Sequence, residues 1–413
     1  MLDDLAGRRT GERIQVLRER KGLSRPTLAG LVGKSASWLK GIETGRRLPP
    51  RLPTLVRLAE ALGVGDVALL AGTDMDLGGA ATIPMSSFAR IPHEAVPAVR
   101  DAVRAPLLTR PDAGVDIAAL AGRVEQAWRL WHGSPTHRTD VGRILPALVR
   151  DARIAARVSE GEERRAANAV LSDVYALVQH EVVWAAEPEL IWVVADRSVS
   201  AAHEADLPIS LAGAAWTMAI VQRSMGDLDG ALDLVNEGAG LLRPRLEDGP
   251  AELRAMYGAL QLHAAMTSAR DGREGDALRY LDEGRATAER LPAGYHHPWT
   301  QFGASNVAVH AVSIQADLSR ASSARDHAQR IDPDTVPSRE RRARLMVETA
   351  RAYHQRRDHS AALDWLERAY PVCNDSVHYS PQARQIASDA VDHGGPMIDR
   401  RARTFAQVLG LPV

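Results

Sequence analysis

The feature that most restricts this chain is an interval. Five segments place a small or apolar residue, an apolar or small one four later, and a small one seven later: Ile191/Ala195/Ser198, Ala231/Val235/Gly238, Ala277/Leu281/Gly284, Ala321/Arg325/Ala328 and Ala362/Leu366/Ala369, with Arg325 breaking the pattern. The leading positions stand 40, 46, 44 and 41 residues apart. Residues spaced by four and seven share one helix face, and small side chains there let a second helix approach closely. Polar turns precede most of the segments (MGDLDG, DGREGD, RRDHSA), and another helical stretch precedes each turn, such as AAWTMAIVQRS or RLMVETARAYHQR. A helical hairpin cannot bury its apolar face alone, so a chain that repeats one must stack its copies. Strand signals are almost absent after residue 115, and an all-α architecture is expected.

Part of the pattern resembles the tetratricopeptide repeat. Tyr353 and Ala362 match its marks, and Pro333 stands twelve residues after Ala321 as the motif requires. The period exceeds the family's usual length of about 34 residues, so the resemblance implies a tetratricopeptide-like α-solenoid over residues 115–413. A sixth helix pair at about 117–157 is expected to cap the front, and SPQARQIASDAV and PMIDRRARTFAQVLG the back. Seven of the eight tryptophans fall in this part, and repeat core is the simplest account of them. In such solenoids the first helix of each repeat lines the concave surface. The resemblance therefore nominates Gln222, His263, Asn306 and His310 as ligand-binding side chains, against the simpler alternative of a solvated face.

The net charge of −1 conceals an asymmetry. Residues 1–72 carry 13 Lys+Arg against 7 Asp+Glu, leaving 38 against 45 in the rest. A basic head on an acidic body points to a polyanionic partner for the head. Residues 73–114, with Pro84, Pro92, Pro97, Pro106 and Pro111, read as an interdomain linker holding one short helix near 94–104.

Within the head, Ser24 caps a helix with Pro26 in its first turn, Gly33 follows as a turn, SASWLKGIETG makes a second helix, and RLPTLVRLAEALGV turns Leu55, Leu58, Ala59 and Leu62 inward. Leu28, Ala29, Trp38, Leu39 and Ile42, closed by Glu43 and Gly45, resemble the helix-turn-helix of Cro/phage-repressor (Xre-type) DNA-binding proteins over about residues 11–64. The resemblance implies a recognition helix at about Ser35–Thr44 for the major groove of double-stranded DNA. It puts Ala36, Ser37 and Gly41 toward bases with Lys40 beside them, and Arg25, Lys34, Ser35, Arg46 and Arg47 toward phosphates. Alanine and glycine make no bidentate base contacts, so direct readout is thin, and a second head or DNA shape has to complete it.

Other chemistry finds little support. Gly33-Lys34-Ser35 imitates the end of a phosphate-binding loop, but position 28 is Leu where that motif needs Gly. His93-Glu94, His180-Glu181 and His203-Glu204 lack the second histidine of a zinc peptidase, four residues after the first. Cys373 is the one cysteine, so no disulfide framework or multi-cysteine metal site is expected. No catalytic residue, metal or cofactor is expected. Nor is a signal peptide or membrane span, and the expected location is the cytoplasm. The reading is a sequence-specific transcriptional regulator, homodimeric, whose repeat domain dimerises and senses a peptide or small-molecule effector. Its domain order resembles that of peptide-pheromone-sensing (Rgg/PlcR-type) quorum-sensing regulators and of actinobacterial helix-turn-helix/repeat regulators. The alternative is a DNA-tethered protein-interaction scaffold.

Overall fold

The computed structural model describes residues 5–50, 52–64, 66–75, 91–108 and 114–411. No β-strand occurs among them. The head folds as α1 (Thr10–Arg20), α2 (Arg25–Leu31), α3 (Ala36–Glu43) and α4 (Leu52–Leu62), followed by a 3-10 turn at Val67–Leu69. Its core is separate from that of the body: Ile14, Leu28, Ala29, Leu39, Leu55, Leu58 and Ala59 are fully buried together or nearly so. The four inward positions expected on α4 are all buried.

The connecting region differs from the expected linker. Residues 76–90 and 109–113 lie outside the described residues, but between them α5 (Val96–Arg104) packs against the body. Arg100 donates two hydrogen bonds to Glu187, at 2.8 and 2.7 Å, and Arg153 donates to the Ala102 carbonyl at 2.8 Å. The helix expected near 94–104 is therefore part of the body's packing.

The body is built from six hairpins: α6/α7 (Ile117–Gly133, His137–Val158), α8/α9 (Gly161–Val182, Pro188–Ala205), α10/α11 (Pro208–Ser224, Leu228–Leu242), α12/α13 (Ala251–Arg270, Glu274–Glu289), α14/α15 (Ala304–Asp317, Ala321–Gln329) and α16/α17 (Arg339–Gln355, His359–Val372). The segments singled out by their spacing are the outer helices α9, α11, α13, α15 and α17. Their small residues sit where helices cross: a Cβ on Gly238 would come within 2.9 Å of the Ala215 Cβ, and one on Gly284 within 3.0 Å of Leu262. The irregular member has a different register. Ala324 and Ala328 are the buried pair of α15, while Ala321 and Arg325 are half-buried, so the break at Arg325 marks a shifted face.

The inner helices α6, α8, α10, α12, α14 and α16 pack side by side, and α16 also packs against α6. The row thus closes on itself, where an open solenoid with a front cap was expected. Three contacts lock the seam. His132 donates from Nε2 to the Trp299 carbonyl at 2.9 Å, which leaves Nδ1 to accept from the Ser338 hydroxyl at 3.1 Å. The amides of Arg138 and Thr139 donate to Asp375. His137 Nδ1 lies 3.1 Å from Cys373 Sγ. The short α18 (Asn374–His378) and the pair α19 (Pro381–His393) and α20 (Asp399–Val408) follow, with a core of their own against α16 and α17. Trp128, Trp131, Trp216 and Trp299 are buried as core, and Trp192 stays 43% exposed. No helix among the described residues is long and apolar enough to cross a membrane.

Candidate nucleic-acid interface and the cavity beneath it

The helix-turn-helix is held from both sides of its turn. Ser24 Oγ accepts from the Thr27 amide at 3.2 Å and starts α2, while Ser35 Oγ accepts from the Trp38 amide at 3.1 Å and starts α3. Each cap satisfies an amide that the first helical turn would leave without a partner. Gly33 takes φ +67 between them, a conformation that favours glycine. At the far end of α3, Glu43 is buried among arginines. Arg18 donates to its two oxygens at 2.6 and 3.1 Å, and Arg25 Nε donates to it as well. The hydrogen bond from Glu43 holds the Arg18 guanidinium above its ordinary pKa. This triad ties α1 and the start of α2 to the recognition helix. Glu43 was visible only as a motif residue and Arg18 not at all, because their pairing spans 25 positions.

The outer surface of α3 and its following turn presents Ser37, Lys40, Arg46 and Arg47, all exposed. Ala36 is half-buried. Gly41, expected to face a base, is buried: the Arg47 stem lies over it so closely that a Cβ would come within 2.9 Å of Arg47 Cδ, and the Arg47 amide donates to the Gly41 carbonyl at 2.9 Å. Arg47 therefore occupies the surface assigned to position 41. Arg25 keeps 37% of its side chain exposed, with Nε held by Glu43.

Lys34 and Ser35 are exposed in a different direction. They line a partly open cavity of about 910 Å³ between the head and the body. The inner helices end on one rim of the ring, and the head rests on that rim. Arg357, just beyond α16, donates to the Gly30 carbonyl at 3.2 Å. A side chain at Gly33 would touch the His393 ring, and one at Gly63 would come within 2.9 Å of the Arg270 carbonyl. Lys21 is pushed down to about 8, mainly by burial against this rim, with Asp317 opposing the shift. Across the rim, burial pushes the Glu60 carboxyl up.

None of Gln222, His263, Asn306 and His310 lines the cavity. His263 and Asn306 are buried beneath its surface, and His310 Nδ1 donates to the Asn306 carbonyl, 2.8 Å away. Burial lowers the His310 pKa to about 3, and that of His263 well below the ordinary value. The side chains that reach the cavity from the inner helices include Arg223, Arg270, Asp317, Glu340, Arg344, Glu348 and Arg351, with Trp131 and Trp184 on the wall. Arg223 directly follows Gln222, so the sequence reading had the right helix turned by one residue. At the rim, Asp389, Asp392 and His393 bring possible metal-ligand atoms within 4.8 Å of one another. Both Asp389 oxygens are already taken, by His354 at 2.9 Å and Gln385 at 3.0 Å.

Residues 9–71 match the model of a family described as a helix-turn-helix domain. No curated protein matches the chain. The head is thus a helix-turn-helix domain by both geometry and family, and it precedes a body of stacked helical hairpins.

Proposed function

We propose that the chain is a sequence-specific DNA-binding transcriptional regulator, that it engages its site with two heads, and that an effector held in the body governs how free each head is. One observation carries this reading. Ser37, Lys40, Arg46 and Arg47 face outward, while Lys34 and Ser35 at the start of the same recognition helix form part of the wall of a partly open cavity against the body. In helix-turn-helix complexes the N-terminal residues of the recognition helix approach the base edges. A head resting on the rim cannot bring that end into the groove, so docking and DNA engagement compete. An effector that prefers one arrangement shifts the balance, and a tenfold change in DNA affinity needs only about 1.4 kcal/mol of preference.

Two heads are proposed because a single head offers few base readers. With Gly41 covered and Ala36 half-buried, base contact falls to Ser37 and Lys40. The test is selection of DNA from a random pool by the full-length protein, followed by footprinting. The expected outcome is a two-fold site with half-sites about 34–36 Å apart, or a multiple of that. A single asymmetric half-site removes the two-head proposal, and recovery of no preferred sequence removes the regulator reading in favour of a scaffold.

A further inference from the structure

The body is acidic overall, yet the cavity is not. Nine Lys or Arg side chains line it against six Asp or Glu. Most of those carboxylates are already engaged. Asp317 receives Arg351 at 2.7 Å and Arg270 at 3.3 Å, Glu348 receives Arg351 at 3.3 Å, Asp389 receives His354, and Asp375 receives the amides at the ring seam. Two arginines are left over on the floor. Arg223 reaches only neutral groups through Nη1, namely His263 Nδ1 at 3.2 Å, the His263 carbonyl at 3.5 Å and Thr267 Oγ1 at 3.3 Å. Arg344 forms no ion pair with any described residue, and its buried Nε has no hydrogen-bond partner. Burial, then Arg270 and Arg344, depress the Arg223 guanidinium well below its ordinary value. Asp317 offsets part of this, and a guanidinium keeps its proton regardless, so a further anion beside Arg223 is favoured.

The opposite wall has another character. It belongs to the head, where Leu31, Ala61 and Val64 form an apolar strip beside Lys21, Lys34, Arg57 and Glu60. The cavity therefore offers two guanidiniums without carboxylate partners on its floor and an apolar strip on the facing wall, within the size range that holds a drug-sized molecule, roughly 300–1,000 Å³. We infer that this cavity binds an amphipathic carboxylate, its anionic end on Arg223 and Arg344 and its apolar part against the head. The planar guanidinium fork matches a carboxylate. Such a ligand touches head and body together, so it holds the head on the rim and weakens DNA binding. That consequence rests on the proposed DNA-binding function, whereas the binding site itself does not.

The test titrates the full-length protein, by calorimetry, with decanoate, decanol, acetate and inorganic phosphate. Decanoate is expected to bind, with the other three at least tenfold weaker. Arg344→Met is expected to weaken decanoate at least tenfold and leave decanol unchanged, with Arg344→Lys in between. An unaltered thermal melt for Arg344→Met, which removes no hydrogen bond, shows that the loss is local. The site is overturned if decanoate does not bind, if decanol or phosphate binds as well as decanoate, or if Arg344→Met binds decanoate normally. Decanoate should also lower the affinity of the full-length protein for its selected DNA. Binding of decanoate with DNA affinity unmoved overturns the link to the head. Arg344-dependent decanoate binding by a protein that selects no DNA upholds the site and removes the regulator reading alone.

Discussion

In the head, a buried carboxylate is closed in by two guanidiniums; in the body, two guanidiniums face a cavity with no carboxylate of their own. Glu43 with Arg18 and Arg25 is a complete arrangement, each charge answered inside the fold. Arg223 and Arg344 are incomplete among the described residues, and they sit where a small molecule has room. A buried charge that is paired does structural work, and removing its partner is costly. A charge left unpaired beside an open volume adds nothing to stability, so its presence has to be explained by something outside the folded chain.

The largest effect that separates the two regions should come from pH. Burial pushes His132 and His180 down to about 3, and His297 to about 4. These rings stay neutral in the fold, while in the unfolded chain they take up protons below about 6.5. Their contribution is therefore undiminished above that pH and is lost as pH falls toward the folded values. For the well-buried His132 and His297 the slope is up to about 1.4 kcal/mol per pH unit each. Melts followed through the body's tryptophans should shift steeply down between pH 6.5 and 5. A flat profile would mean that these histidines are charged in the fold.

Next in size is Glu43→Ala, expected to cost about 3–5 kcal/mol because it leaves buried Arg18 with only the exposed Glu19 carboxylate and the Leu23 carbonyl. Hydrogen exchange should show α1 and α3 losing protection while the ring helices keep theirs. Smaller is the effect of Arg46→Ala, which should weaken DNA binding evenly across sequences and reduce the salt slope by about one. Ser37→Ala should instead cost about 1–3 kcal/mol on the selected site alone. Smallest is Arg344→Met in the absence of ligand, where stability should stay within about 0.5 kcal/mol of the parent. A large loss there would show that Arg344 is answered within the fold and would erase the contrast with Glu43.

The elements that periodicity controls were legible beforehand. The cap at Ser24, the inward face of α4 and the crossing positions Gly238 and Gly284 all follow from local spacing, which one helix encodes by itself. Features joining distant parts of the chain were not legible. Nothing periodic relates Gly30 to Arg357, Gly33 to His393 or His132 to Ser338, because each pair meets only once the hairpins have curved around. The concave candidates illustrate the boundary between the two. Gln222 missed the open position by a single residue, whereas Arg270 and Asp317 stand seven residues beyond His263 and His310, on the same face two turns nearer the rim. The apolar pattern of α10 and α12 could not settle which turn opens to the cavity, since these helices are buried on almost every side.

The closed seam between α6 and α16 changes what kind of object the repeats make. In a linear array each unit depends on its neighbours alone, and units can fray from an end, be lost or be duplicated without altering the others. Here the first hairpin holds the last through His132, Ser338 and Asp375, so neither is a terminus that can fray on its own. Unfolding should then be all-or-none around the circle, and folding slow for a helical protein, because the seam joins residues more than 200 positions apart. Hairpin number becomes a geometric constant, since adding or deleting one would misalign the seam, open the rim and unseat the head. Divergence in such a molecule has to proceed by altering what faces the centre, with the count of its parts held fixed.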